Sequence, residues 1–215
     1  SSARAAGAND RVRAGLIGCG GRGMGDLRTF LRVPGTECVA LCDPDEAQSA
    51  RTQRTVLDPL SQRPSLVAKD FRRLLDRKDL DVVIVATPDH WHALCATLAC
   101  QAGKDVYLEK PLALSIAEGR AVVQAAERYG RVVQVGNQRR SSPDYAGAAH
   151  YIKSGKLGKV RFVRTWAYLD WVRWVPPVPD SDPPASLDYD LWLGPARERP
   201  FNPARFHFNW RWHWD

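Results

Sequence analysis

Residues Gly18-Cys19-Gly20-Gly21-Arg22-Gly23 have the spacing G-x-G-x-x-G. Glycines so spaced let backbone amides approach a pyrophosphate, and they open a helix whose first N–H groups and dipole favour an anion. The hexapeptide alone is a weak signal, because glycine clusters close many strands. Here it follows the apolar run 12–17 and precedes residues 24–31, whose apolar side chains recur at helical spacing, so strand, turn and helix arrive in the required order. Asp43 follows Gly23 by 20 residues, at the end of a second apolar run, 38–42. A carboxylate there accepts hydrogen bonds from the hydroxyls of an adenosine ribose.

Three further loops carry polar chemistry: Ala86-Thr87-Pro88-Asp89-His90-Trp91-His92, Glu109-Lys110-Pro111, and Val135-Gly136-Asn137-Gln138-Arg139-Arg140. Each follows an apolar run. His90 and His92 are poor metal ligands: two residues apart they point to different sides of a helix, and no cysteine or acid completes a set. No metal is expected. The five cysteines, Cys19, Cys38, Cys42, Cys95 and Cys100, lack zinc spacing and sit among apolar or small residues, so they read as small buried hydrophobes.

The elements that must position these loops alternate strand and helix through residue 137. A polar segment to Gln53 suits a helix, 66–68 a short strand and 71–75 a helical turn. Val82 to Ala86 is a continuous apolar run, as in a parallel strand buried on both faces. Asp89 is expected to N-cap a helix with Trp91, Leu94, Cys95, Leu98 and Ala99 on one face, ended by Gly103. Two more strands, 106–108 and 132–135, flank a helix from Ser115 to Tyr129 that Gly130 stops. This alternation predicts an α/β fold with a doubly wound parallel sheet. The loops beginning at Gly18, Asp43, Thr87, Glu109 and Gly136 then gather at its carboxyl edge, where such sheets bind ligands.

Beyond Ser141 the pattern changes to a helix through 151–155, after which Val160, Phe162, Trp166 and Tyr168 alternate with more polar neighbours at the period of a half-buried strand. The expected organisation is an N-terminal extension (1–10), a nucleotide-binding domain (11–140) and the start of an α+β second domain (141–215). From Trp171 onward prolines predict a long irregular loop. In the tail Phe206, Phe208, Trp210, Trp212 and Trp214 alternate with His207, Asn209, Arg211 and His213. Period two predicts an extended segment that buries one face or, with its indoles and arginine, stacks on a sugar.

The 215 residues suffice for a buried core, and no apolar stretch is long enough to span a bilayer. The net charge of +7 is scattered, so it reads as a solvated surface and not as a nucleic-acid footprint. Ala3-Arg4-Ala5 resembles the small-x-small tail of a cleaved export signal, which leaves location open between cytoplasm and export after folding.

Taken together, the glycine turn, Asp43, Thr87-Pro88, Glu109-Lys110-Pro111 and Gly136-Asn137 resemble the Gfo/Idh/MocA family of oxidoreductases. Glu-Lys-Pro at the end of the fifth strand is the most specific of these motifs, and Leu191-Trp192-Leu193-Gly194-Pro195 looks like part of the family's second domain. The resemblance implies a Rossmann domain that binds NAD, with the amides of Gly20 to Arg22 on the pyrophosphate, Asp43 on the adenosine ribose, and Thr87 and Pro88 lining the cleft. Gly18, Gly20, Gly21, Arg22, Gly23, Asp43, Thr87, Pro88, His92, Glu109 and Asn137 are then the cofactor-binding residues, with His92 approaching the nicotinamide side.

Asp43, with Asp45 and Glu46, repels a 2′-phosphate and favours NAD over NADP, although the Arg22 guanidinium could reach a phosphate. The resemblance also makes Lys110 catalytic, an ammonium at the substrate oxygen whose pKa desolvation would lower, and puts a cis peptide before Pro111. The implied substrate is a sugar, cyclitol or related polyol, and the implied partner a second copy bound through the second-domain sheet. The family's second domain continues past residue 215 and brings an acid and a histidine to the substrate. Neither His207 nor His213 sits in that pattern, so this chain reads as truncated within that domain. A non-catalytic dinucleotide-binding or oligomer-forming fragment, and a redox glycoside hydrolase of the same superfamily, are the alternatives.

Overall fold

The computed structural model describes residues 11–168 and 175–213. The extension containing Ala3-Arg4-Ala5, the residues from Trp171 to 174 and Trp214 of the aromatic tail lie outside the described residues.

β1 (Val12–Ile17), β2 (Thr36–Cys42), β3 (Leu66–Ala68), β4 (Val82–Val85), β5 (Asp105–Glu109) and β6 (Val133–Gly136) form one sheet in the order β3-β2-β1-β4-β5-β6. Every pairing is parallel. The connections are α1 (Gly21–Phe30), α2 (Glu46–Thr52), α3 (Arg72–Leu75), α4 (His92–Gln101) and α5 (Ile116–Tyr129). α2 runs on through a π-helical turn, Gln53–Leu57, and a 3₁₀ turn, Asp58–Leu60, farther than the polar helix expected to end at Gln53. The strand order reverses between β1 and β4, which opens a crevice at the carboxyl ends of those strands.

Successive side chains of the central strands serve two cores. Leu16, Leu41 and Ile84 pack with Met24 and Leu27 of α1 and with Val56 and Leu57. Ile17, Ala40, Val83, Val85, Val106 and Leu108 pack with Leu74 and Leu75 of α3, the small face of α4, and Val122 and Ala125 of α5. Continuous runs such as β4 are therefore apolar on both faces because both faces are covered. α5 begins at a capping box between Ser115 and Glu118 and ends at Gly130, in the left-handed conformation.

The start of α4 departs from the sequence reading. Asp89 does not cap it: Asp89–Trp91 form a 3₁₀ turn, and α4 begins at His92 with Trp91 in the capping position and no side-chain cap. Its buried face is His92, Ala93, Cys95, Ala96, Ala99 and Cys100, while Leu94 is exposed. Small side chains let the helix lie close to the sheet, which turns the bulkier Leu94 outward.

The chain divides into two units. The first comprises residues up to Gly136 and also Pro183–Glu198, so the segment with α7 (Tyr189–Leu193) returns to the sheet. Glu46 N–H donates to Ser186 O (3.1 Å), Asp188 N–H to Pro44 O (2.9 Å), and Asp45 and Leu187 form an antiparallel bridge. Trp192 O accepts from the Trp91 indole (3.3 Å).

The second unit holds Asn137–Asp182 and Arg199–Asp215. Its helix, α6 (Pro143–Lys153), is amphipathic only weakly and buries no residue. The strand expected over 160–168 is absent: the described residues supply no neighbour for its backbone, and Phe162, Trp166 and Tyr168 are exposed. The second unit therefore has no sheet among the described residues, which include most of the segment expected to supply one. The aromatic tail is not extended either. It forms turns and a 3₁₀ helix, Asn209–Trp212, in which the Arg211 guanidinium lies 4.7 Å from the Phe208 ring centroid and 4.4 Å from that of Trp210. A turn brings these cation–π partners together, which an extended strand would separate.

Candidate dinucleotide site

The glycine turn fills the β1 end of the crevice. Gly18 has φ +91°, and a Cβ there would sit 2.7 Å from the Ala86 backbone; a Cβ on Gly23 would sit 1.9 Å from Gly18 O. Both positions require glycine, because β4 and the turn itself approach to backbone contact. Gly20 and Gly21 differ: a Cβ on either would meet nothing within 4 Å. Gly20 caps the ten-residue α1 without any side-chain hydrogen bond. The first-turn amides of α1 thus lack a side-chain cap, and the space beside the Cα atoms of Gly20 and Gly21 is open.

Asp43 follows β2 and is buried at 7 % exposure. Its Oδ2 accepts from Cys19 N–H (2.7 Å) and its Oδ1 from Asp45 N–H (2.9 Å). The carboxylate expected to meet only ribose is also the anchor of the glycine turn, and each oxygen keeps a further lone pair. Burial pushes its pKa up to about 6, against the lowering effect of the two amides.

Arg22 does not project toward a phosphate. Its Nη2 lies 2.6 Å from Glu109 Oε1 and 2.6 Å from Asp26 Oδ1, and its Nε donates to Glu109 Oε1 (2.8 Å). Two carboxylates hold one guanidinium, a stronger pull than an open crevice offers. Desolvation opposes the charged guanidinium, but Asp26 and Glu109 together raise its pKa. Asp26 was missed in the sequence, although its place four residues after Arg22 on one helix face is the signal that finds it. Burial pushes Asp26 up to about 6, against the pull of Arg22, and its Oδ2 is buried without a partner.

At the ends of β4 and β5 the two loops lie side by side, since Val85 pairs with Leu108. The Thr87 hydroxyl is buried with no hydrogen-bond partner. Pro88 precedes the 3₁₀ turn. Glu109 is buried and Lys110 exposed, so the two side chains diverge as adjacent strand-end residues should. The desolvated lysine expected from sequence is not found, because Lys110 stands outside the strand at the turn into the next loop. The Lys110–Pro111 peptide is cis.

His92 does not reach open space. It is 1 % exposed, with Nδ1 2.5 Å from Pro111 O and Nε2 3.0 Å from Thr87 O. Asn137 opens the second unit, its carbonyl accepting from Arg140 N–H (2.9 Å). The cysteines are buried and free, and burial pushes the Cys38 thiol up to about 12 and those of Cys19, Cys42 and Cys95 in the same direction, which makes them poor nucleophiles. Among the described residues no cluster of three or more potential ligands could hold a metal.

The residues present fit a dinucleotide: an uncapped helix start over two open glycines, a carboxylate after β2, and an orphaned hydroxyl at the end of β4. Comparison with known proteins agrees. Residues 12–137 match GFO_IDH_MocA, an oxidoreductase family with an NAD-binding Rossmann fold, and residues 152–215 match its C-terminal alpha/beta domain. Glycosyl hydrolase family 109 protein 2 of Shewanella sp. (strain ANA-3) is 33% identical over 168 residues, which are 77% of this chain and 37% of that protein. An NAD-binding oxidoreductase from Klebsiella pneumoniae shares the fold with TM-score 0.59 and 30% identity, over 69% of this chain and 40% of that one. Levoglucosan dehydrogenase, solved with NADH and levoglucosan, aligns with TM-score 0.61 and 28% identity, over 69% of this chain and 41% of its own. The chain spans little more than a third of the length of the curated relatives it matches. By its fold, its glycine turn and the family match over residues 12–137, the chain belongs to the Gfo/Idh/MocA oxidoreductases, with an NAD-binding Rossmann domain.

Proposed function

We propose that the protein transfers hydride between a nicotinamide cofactor and a sugar, cyclitol or related polyol, and that the cofactor is NAD. The observation that carries this reading is the open, uncapped start of α1 at the point where the strand order reverses. When bound, NAD supplies the nicotinamide carbon that takes or gives hydride. The amides at Gly20, Gly21 and Arg22 hold the pyrophosphate, and the Thr87 hydroxyl and Pro88 line the cleft. Asp43 accepts from the ribose with its remaining lone pairs, and its charge, with those of Asp45 and Glu46, repels a 2′-phosphate. Lys110, whose ammonium has no partner among the described residues, donates to the substrate oxygen and steadies the charge that grows there. Glu109 holds Arg22 and through it the first turn of α1.

Incubating the chain with NAD and a panel of sugars and cyclitols should yield reduced cofactor by its near-ultraviolet absorbance. Lys110→Ala should lower turnover by about 10²-fold or more, with NAD affinity unchanged. Turnover that survives the substitution removes Lys110 from the chemistry. A second reading has specific support in the name of the curated glycosyl hydrolase relative: redox cleavage of a glycoside, in which the hydride returns to the product. Release of an aryl group from a chromogenic glycoside, dependent on NAD but without net reduced cofactor, would favour it.

A further inference from the structure

The buried imidazole of His92 lies between the two loops that carry the proposed chemistry. Its Nδ1 edge meets the carbonyl of Pro111, the residue after Lys110, at 2.5 Å, and its Nε2 edge meets the carbonyl of Thr87 at 3.0 Å. Carbonyl oxygens only accept, so the one N–H of a neutral imidazole donates to one of these carbonyls while the other ring edge packs against the second, and the ring fills the space between the two loops. At 1 % exposure the ring is enclosed by the protein and does not itself line open space.

Its place on the backbone is what matters. Lys110 is exposed, and its ammonium has no partner among the described residues, so its backbone fixes where it starts. That backbone is tied on one side by β5, where Glu109 pairs with Gly136 of β6. On the other side, the tie is the Pro111 carbonyl on His92. His92 itself is seated at the first residue of α4, whose small face packs on the sheet.

We propose that His92 is a positioning residue of the hydride-transfer site: it clamps the Lys110–Pro111 loop to the Thr87 loop and so sets where the ammonium meets the substrate oxygen, a role that rests on the reading of Lys110 above. A misplacement of about 1 Å in such a group costs on the order of 10²-fold in rate.

The test compares His92→Ala with Cys95→Ala, a cavity in the same helix and core that leaves the clamp intact. Amide hydrogen exchange should rise at least tenfold at Lys110, Leu112 and Ala113 in His92→Ala relative to Cys95→Ala, with exchange in β1 and β2 alike in both. Turnover should fall by about 10- to 100-fold through kcat, while KM for NAD stays within about twofold. His92→Asn, whose carboxamide donates from one side of a shorter stem, serves if the alanine variant does not fold, and its loop exchange should exceed that of Cys95→Ala by severalfold. Exchange that rises equally across the chain, or matches Cys95→Ala in the loop, makes the ring a core filler and overturns the proposal. A wild-type chain that binds NAD but oxidises no polyol removes the reading of Lys110 instead, and the exchange comparison still decides whether the clamp exists.

Discussion

Asp43 shows how one residue serves structure and chemistry. Its carboxylate anchors Cys19 N–H and Asp45 N–H in a buried position, and burial pushes its pKa to about 6, above the ~3.9 of an unfolded chain. The folded protein therefore binds this proton more tightly than the unfolded one. Stability is highest while the group is protonated, below about pH 4, and declines as pH rises to about 6, by roughly 3 kcal/mol from this group. Asp26 acts in the same direction over the same window. Urea unfolding across this range should show the decline, and Asp43→Asn should remove its share; an unchanged slope would mean that the carboxyl titrates normally. The sequence revealed Asp43 by its place after an apolar run, but not its hold on the glycine turn. That hold depends on how closely β1 and β2 lie, which no local pattern encodes. Arg22 was legible as a cation beside the turn, whereas its two carboxylate partners come from α1 and from β5, 87 residues away.

Among the elements, strands were the most legible, because a parallel strand covered on both faces must be apolar throughout, as 82–85 is. Helix α4 was legible in its packed residues Trp91, Cys95, Leu98 and Ala99, whereas its start at His92 and the outward turn of Leu94 were not. Period-two patterns at 160–168 and 206–213 misled because alternation makes a strand only where a neighbour exists to pair with it. Least legible was the return of Pro183–Glu198 to the first unit. There Gly194 has φ +49°, and a Cβ on it would sit 1.9 Å from the Trp91 ring. Gly194→Ala should therefore destabilise the chain by about 1–3 kcal/mol, with exposure of the Trp91 and Trp192 indoles. Thermal unfolding with tryptophan fluorescence measures both, and an unchanged midpoint would show that the 183–198 segment is not seated on Trp91.

At the scale of the whole molecule, the chain supplies a complete parallel sheet with its ligand edge, followed by a second unit whose helix α6 buries nothing. Under the proposed function, cofactor recognition falls to the loops of the first unit and the substrate oxygen to Lys110. Everything proposed for this chain requires that the glycine turn bind NAD. Calorimetric titration of the 215-residue chain with NAD and with NADP tests it most directly, alongside Gly23→Ala, whose Cβ would collide with Gly18 O. Saturable NAD binding is expected, with NADP binding at least about tenfold weaker, and with loss of both in a Gly23→Ala chain that remains folded by circular dichroism. A folded wild-type chain that binds neither nucleotide, or a Gly23→Ala chain that binds NAD as the wild type does, would contradict it.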